Sequence, residues 1–136
     1  MLRYMLDTDL CIRVLRDRPR QVRERFNREA DGLCISSVVL MELLHGAEKS
    51  ARVEHHRRIV EDFAARLDVA PFDAPAAAHA AEIRAELERR GQRIGAYDLQ
   101  IAGHARSMGL IVVTGNLNEF RRVDGLRAED WLAERR

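Results

Sequence analysis

Short, mostly apolar runs and longer amphipathic stretches take turns along this chain. Residues 2–6, 33–35, 67–70 and 110–114 are too short for helices and are bounded by polar or turn residues, which predicts buried strands. Between them apolar positions recur every three or four residues. Asp9 stands where an N-cap would open a helix through Leu15, and Pro19 where a first turn would open a second one to about Ala30. Ser36 or Ser37 caps the next helix, in which Val38, Met41, Leu44 and Ala47 share a predicted core face. Residues 51–67 place Ile59, Phe63 and Leu67 on one face of another. Pro75 opens an Ala-rich helix to Arg90 that Gly91 ends. Gly95, Ala96 and Tyr97 lead into a helix that carries Asp98 and stops at Gly109. A helical turn at 117–120 and a strand near Leu126 complete the pattern. Strand and helix in repeated alternation predict an α/β fold, a parallel sheet with helices on both faces.

Length and composition add limits. At 136 residues the chain is expected to form a single domain, 1–136, able to bury about two thirds of its unfolded surface. No apolar run approaches the ~20 residues of a membrane span. Asp7 and Asp9 interrupt any signal-peptide core, so a cytoplasmic location without membrane attachment is expected. Cys11 and Cys34 match no metal-binding spacing and read as reduced packing residues. The five histidines form no zinc spacing. Trp131 reads as a packing anchor.

Candidate chemistry lies in the acids. Asp7 ends the first apolar run, Glu42 sits inside an apolar stretch, Asp98 opens another and Glu119 follows the clearest strand. Acidic groups beside the C-terminal ends of parallel strands lie where open α/β sheets place their active sites. Two carboxylates about 4 Å apart, at an effective dielectric of about 20, repel by about 4 kcal/mol. A cluster of four therefore calls for a divalent cation or a shifted protonation state. Hard carboxylate oxygens suit Mg²⁺, with Mn²⁺ as a substitute. Each acid also has a plainer reading: Asp7 as a strand-end cap, Asp9 and Asp98 as helix caps, Glu42 and Glu119 as solvated surface charges.

Net charge is +1, yet 22 arginines stand against the single Lys49. Residues 13–28 carry a net +5, from seven arginines against Asp17 and Glu24. Arginine forks fit phosphate oxygens, so this segment reads either as a phosphate-contacting rim or as a solvated helix face.

Four segments in order carry a resemblance: Met-Leu-Asp-Thr-Asp at 5–9, Ser-Ser-Val-Val-Leu-Met-Glu-Leu at 36–43, Asp98 followed by Leu-Gln-Ile-Ala-Gly-His-Ala-Arg, and Val-Val-Thr-Gly-Asn at 112–116. Together they resemble the PIN-domain ribonucleases, most closely the VapC-type toxins of bacterial toxin–antitoxin pairs, over nearly the whole chain. The resemblance implies a three-layer PIN-like fold and a Mg²⁺-dependent endoribonuclease, with initiator tRNA cut by some close relatives. It also implies a VapB-type antitoxin as partner and a toxin homodimer. Asp7, Glu42 and Asp98 match the first three acidic positions of that family. At the fourth, where Asp is common, this chain has Asn116, and Glu119 stands three residues on as the replacement charge. On this reading Asp7 and Asp98 hold the metal, and Thr8 and Thr114 contact its waters or a phosphate.

Rival readings remain. Asp7-Thr8-Asp9 after a strand resembles the nucleophile motif of haloacid-dehalogenase-type phosphatases, and receiver domains also place an Asp there. Both need a lysine late in the chain, which is absent. A non-catalytic PIN-like module binding RNA or protein, and a structure-specific DNA nuclease, are the alternatives to the endoribonuclease.

Overall fold

A computed structural model describes residues 1–132; the last four positions of the 136 lie outside the described residues. Five strands form one sheet: β1 (Tyr4–Leu6), β2 (Leu33–Ser36), β3 (Asp68–Ala70), β4 (Ile111–Val113) and β5 (Ala128–Glu129). Their order is β3-β2-β1-β4-β5 and every pairing is parallel. The helices are α1 (Thr8–Arg16), α2 (Arg20–Arg28), α3 (Ser37–Glu48), α4 (Val53–Ala64), α5 (Ala74–Arg89), α6 (Ala96–Met108) and α7 (Leu117–Phe120). Residues of β1, β2 and β4 are buried without exception, as a parallel sheet covered on both faces requires. The α/β architecture expected from the alternation is the one found.

The order has a consequence for function. From β1 the chain builds outward through β2 and β3, then returns to the other side of β1 for β4 and β5. Connections leaving β1 and β4 therefore diverge, and a crevice opens at the C-terminal ends of these two strands. Asp7 follows β1 and Thr114 follows β4. The register Leu6↔Val113 brings those two ends level.

Local chemistry explains most boundaries, and a few differ from expectation. Ser36, not Ser37, caps α3, its hydroxyl accepting the Val38 N–H at 3.0 Å. Pro19 is the N-cap of α2 and not a first-turn residue. In α3 the core face is Val38, Val39, Leu43 and Ala47, while Met41 is 43% exposed. A spacing of three from Val38 had selected Met41, but the sheet side is one position round the helix. In α4, likewise, Val60 and Phe63 are buried and Ile59 is exposed. Strand β5 begins two residues beyond Leu126. Trp131 anchors the far edge of the core: buried, edge-on to Tyr4 at 5.5 Å, with the Arg25 guanidinium 4.7 Å from its ring centroid.

Helices α5 and α6 pack most closely where α5 carries small residues. A Cβ placed on Gly103 would lie 2.6 Å from the Ala80 backbone N and Cα. Backbone cannot yield as a flexible side chain does, so Gly103→Ala must push the helices apart. Overpacking of this kind costs about 3 kcal/mol, near the top of the usual range. We expect a melting temperature about 10 °C below the parent in a thermal unfolding scan. A variant melting with the parent would show that α6 has room to move. Gly109 ends α6 at φ 69°, a left-handed conformation that glycine adopts without strain.

Candidate functional site

Asp7 is fixed by both strands of the crevice. Its backbone N–H donates to the Val113 carbonyl at 3.0 Å, and its side chain turns back to cap α1, accepting the Leu10 N–H at 2.9 Å. Asp7, not Asp9, is thus the cap of α1; Asp9 is exposed and pairs with Arg13 at 3.1 Å. The carboxyl of Asp7 is only 3% exposed. Burial pushes it from the ordinary 3.8 to about 6, and the negative fields of Asp9 and Glu42 push the same way. Hydrogen bonds from the Thr114 hydroxyl and the Leu10 N–H hold it down in part.

Asp98 is the third residue of α6, after the N-cap Gly95. Its carboxyl is pushed from 3.8 to about 7 by burial, by a hydrogen bond with Glu119, and by the charges of Asp7, Glu119 and Glu42. Glu119 Oε1 also accepts the Gly95 N–H at 3.3 Å. Glu42 accepts from the Thr8 hydroxyl. Asp7 at the cap of α1, Glu42 in α3, Asp98 in α6 and Glu119 in α7 therefore act on one another electrostatically.

Asn116 stands apart from these ties. It is exposed, and its contribution is a backbone N–H donated to Thr114 Oγ1 at 2.9 Å; its side chain does not cap α7. The threonines also order the acids. Thr8 holds Glu42 and Thr114 holds Asp7, so their hydroxyls orient acids. Gly95 was not among the expected contributors, because the carboxylate that its N–H binds lies 24 residues away.

The donor set tests the metal expectation. It consists of carboxylate and hydroxyl oxygens, the hard ligands that Mg²⁺ and Mn²⁺ accept. Charging these acids is costly, because burial first and their mutual repulsion second push Asp7 and Asp98 upward, and a dication would offset that cost. Among the described residues no three His, Cys, Asp or Glu side chains are gathered tightly enough to enclose an ion. The fit is therefore one of chemistry and field.

Elsewhere several of the remaining candidates have partners within the fold. Burial pushes Cys34 up to about 12 and Cys11 well above its ordinary value, so both thiols stay protonated in the core. His104 is buried, with Nδ1 2.9 Å from the Ser36 hydroxyl. In the arginine-rich segment Arg13 pairs with Asp9, Arg23 donates to the Val14 carbonyl, and Arg25 bridges Glu29 and Glu129. A groove of about 730 Å³ lies between α5 and the start of α6, lined by Phe72, Ala81, Arg84, Leu99 and Gln100 among others, and none of the four acids lines it.

The sequence and the fold have counterparts among known proteins. The family model described as the PIN domain matches residues 4–126. The tRNA(fMet)-specific endonuclease VapC of Shigella flexneri is 55% identical over 131 residues, 96% of this chain and 99% of that one. Ribonuclease VapC2 of Haemophilus influenzae is 47% identical over 97% of this chain and 100% of its own. Among solved structures, the DNA-bound VapBC of Salmonella typhimurium superposes with a TM-score of 0.93 at 53% identity, covering 96% of this chain and 99% of that one.

Proposed function

The chain belongs to the PIN-domain family, and on that premise we propose that it is a VapC-type toxin, an endoribonuclease whose substrate class is tRNA and whose activity a VapB-type antitoxin blocks. The observation that carries this reading is 55% identity to a tRNA(fMet)-specific endonuclease across almost the full length of both chains. The chain works as one such domain, as a homodimer, in the cytoplasm; no helix among the described residues is long and apolar enough to cross a membrane.

Asp7 and Asp98 are the residues that would hold the cation, Mg²⁺ or in its place Mn²⁺, with Glu42 and Glu119 adding negative charge nearby. A dication supplies charge neutralisation for the attacking and leaving oxygens at a phosphodiester. The chain's own residues do the rest. Strands β1 and β4 lock Asp7 in place through its N–H on Val113. Thr8 aims Glu42, and the Gly95 N–H aims Glu119. Asp98 and Glu119 place carboxylate oxygens side by side at the entrance of α6. One of these carboxylates then accepts a hydrogen bond from the incoming water and orients its oxygen toward phosphorus.

The test is direct. The purified chain, incubated with tRNA(fMet), is expected to cut it in Mg²⁺ or Mn²⁺ and to leave it intact in EDTA. Cleavage that continues undiminished in EDTA would reject the metal-dependent mechanism, and cleavage of DNA in preference to tRNA would favour the DNA-nuclease reading.

A further inference from the structure

We propose that Tyr97 is a stacking platform for a nucleobase beside the phosphodiester bond to be cut, which rests on the RNA-cleaving reading above. The chain has seven aromatic side chains of the Phe, Tyr and Trp types. Tyr4, Phe26, Phe63, Phe120 and Trp131 are buried, and Phe72 lies edge-on to His104 at 5.6 Å. Tyr97 alone presents its ring to solvent, at 46% exposure, and it makes no ring contact among the described residues.

Its position gives the exposure meaning. Tyr97 lies in the first turn of α6, between Gly95 and Asp98. The backbone N–H of Gly95 binds Glu119, and a Cβ on Gly95 would lie 3.7 Å from Asp98 Oδ2 and 3.8 Å from Glu119 Oε1. The turn that carries the ring therefore borders two of the four acids.

Electrostatics then selects the ligand chemistry. Carboxylates repel RNA phosphates, so grip next to the acids has to come from groups that work without opposite charge. The face of a base stacks on an aromatic ring whatever the local potential, and every base has such a face. An unpaired loop nucleotide offers its face freely, whereas a paired one is already stacked within a helix. The occupant is thus a single-stranded nucleotide adjoining the scissile phosphate.

The experiment uses fluorescein-labelled tRNA(fMet) and a set of copies with one abasic residue at each unpaired position. Binding is read by anisotropy in EDTA, and cleavage by kcat and KM in Mg²⁺. With the parent chain, one abasic position is expected to weaken binding and raise KM about tenfold with little change in kcat. Tyr97→Ala is expected to cost about the same on the intact RNA and to erase the penalty at that one position. Tyr97→Phe and Tyr97→Trp are expected to keep it. Penalties that multiply independently at every position would overturn the proposal, as would a Tyr97→Leu variant that binds like the parent. So would a Tyr97→Ala variant that binds RNA normally but weakens association with an antitoxin or a second copy, since the ring would then be a protein contact. Coupled binding without cleavage in Mg²⁺ would leave the stacking intact and sink the nuclease reading. Cleavage without coupling would do the reverse, and neither binding nor cleavage would remove both.

Discussion

Asp7→Asn is expected to lower RNA cleavage by at least about 100-fold, about 2.7 kcal/mol of transition-state stabilisation, and at the same time to make the metal-free protein more stable at neutral pH. The two effects have one origin. Asp7 is held in the crevice, nearly out of contact with water, by the Val113 carbonyl on its backbone and the Leu10 N–H on its side chain. Evolution of a stable fold alone would not place an ionised group there; an amide oxygen caps a helix as well as a carboxylate does. What the amide lacks is the charge that binds a cation. Growth arrest on expression should disappear in this variant if RNA cleavage is its cause, and arrest that persists would point to another cause.

The sign of the pH effect follows from the direction of the shift. Asp7 titrates at about 6 in the folded chain, above its ordinary 3.8. The folded state therefore holds the proton more tightly than the unfolded state does. Below 3.8 the group costs nothing. Between 3.8 and about 6 stability falls as pH rises, and above about 6 the whole penalty, about 3 kcal/mol, is present. Asp7→Asn removes it, so the variant's melting temperature should exceed the parent's by several degrees at pH 7.5 in EDTA and approach it near pH 4. A variant less stable than the parent at pH 7.5 would mean that the carboxylate's hydrogen bonds outweigh its desolvation. Protons also compete with the cation. With Asp98 raised to about 7, metal affinity should weaken as pH drops below neutrality.

Sequence pattern reached the architecture because each layer left its own period. Runs such as Ile111–Val113 are apolar throughout, as strands covered on both faces must be. It also reached the four acids, because a carboxylate at the end of a buried strand or within an apolar helix contradicts its surroundings. Finer facts were hidden for identifiable reasons. Both Asp7 and Asp9 are good caps, and the choice between them depends on where β1 ends, which is fixed by pairing with β4. Met41 and Leu43 fit a helical face equally well until the sheet chooses a side. The task of Gly95 depends on Glu119, 24 residues away, and no local spacing reports that contact.

Glu119→Gln is expected to slow cleavage about tenfold, more than Asn116→Ala does, because only Glu119 carries charge into the acid group. Its carboxyl bonds to Asp98 and accepts the Gly95 N–H, whereas Asn116 is exposed and contributes a backbone N–H to Thr114. Removing a negative oxygen weakens binding of a dication more than removing a neutral one, provided both reach it. The amide keeps the Gly95 hydrogen bond through its oxygen, so the substitution tests charge with little loss of geometry. It also changes Asp98. Without the Glu119 charge Asp98 should ionise more easily, which moves the acid limb of the pH–rate profile to lower pH even as the maximal rate falls. A slower enzyme with an unmoved acid limb would place Glu119 outside the titrating group. A larger loss from Asn116→Ala would return the fourth position to Asn116. If Glu119→Gln has no effect on rate or metal affinity, Asp7, Glu42 and Asp98 suffice, and Asn116→Asp then asks whether a further charge at the fourth position speeds cleavage by admitting a second ion.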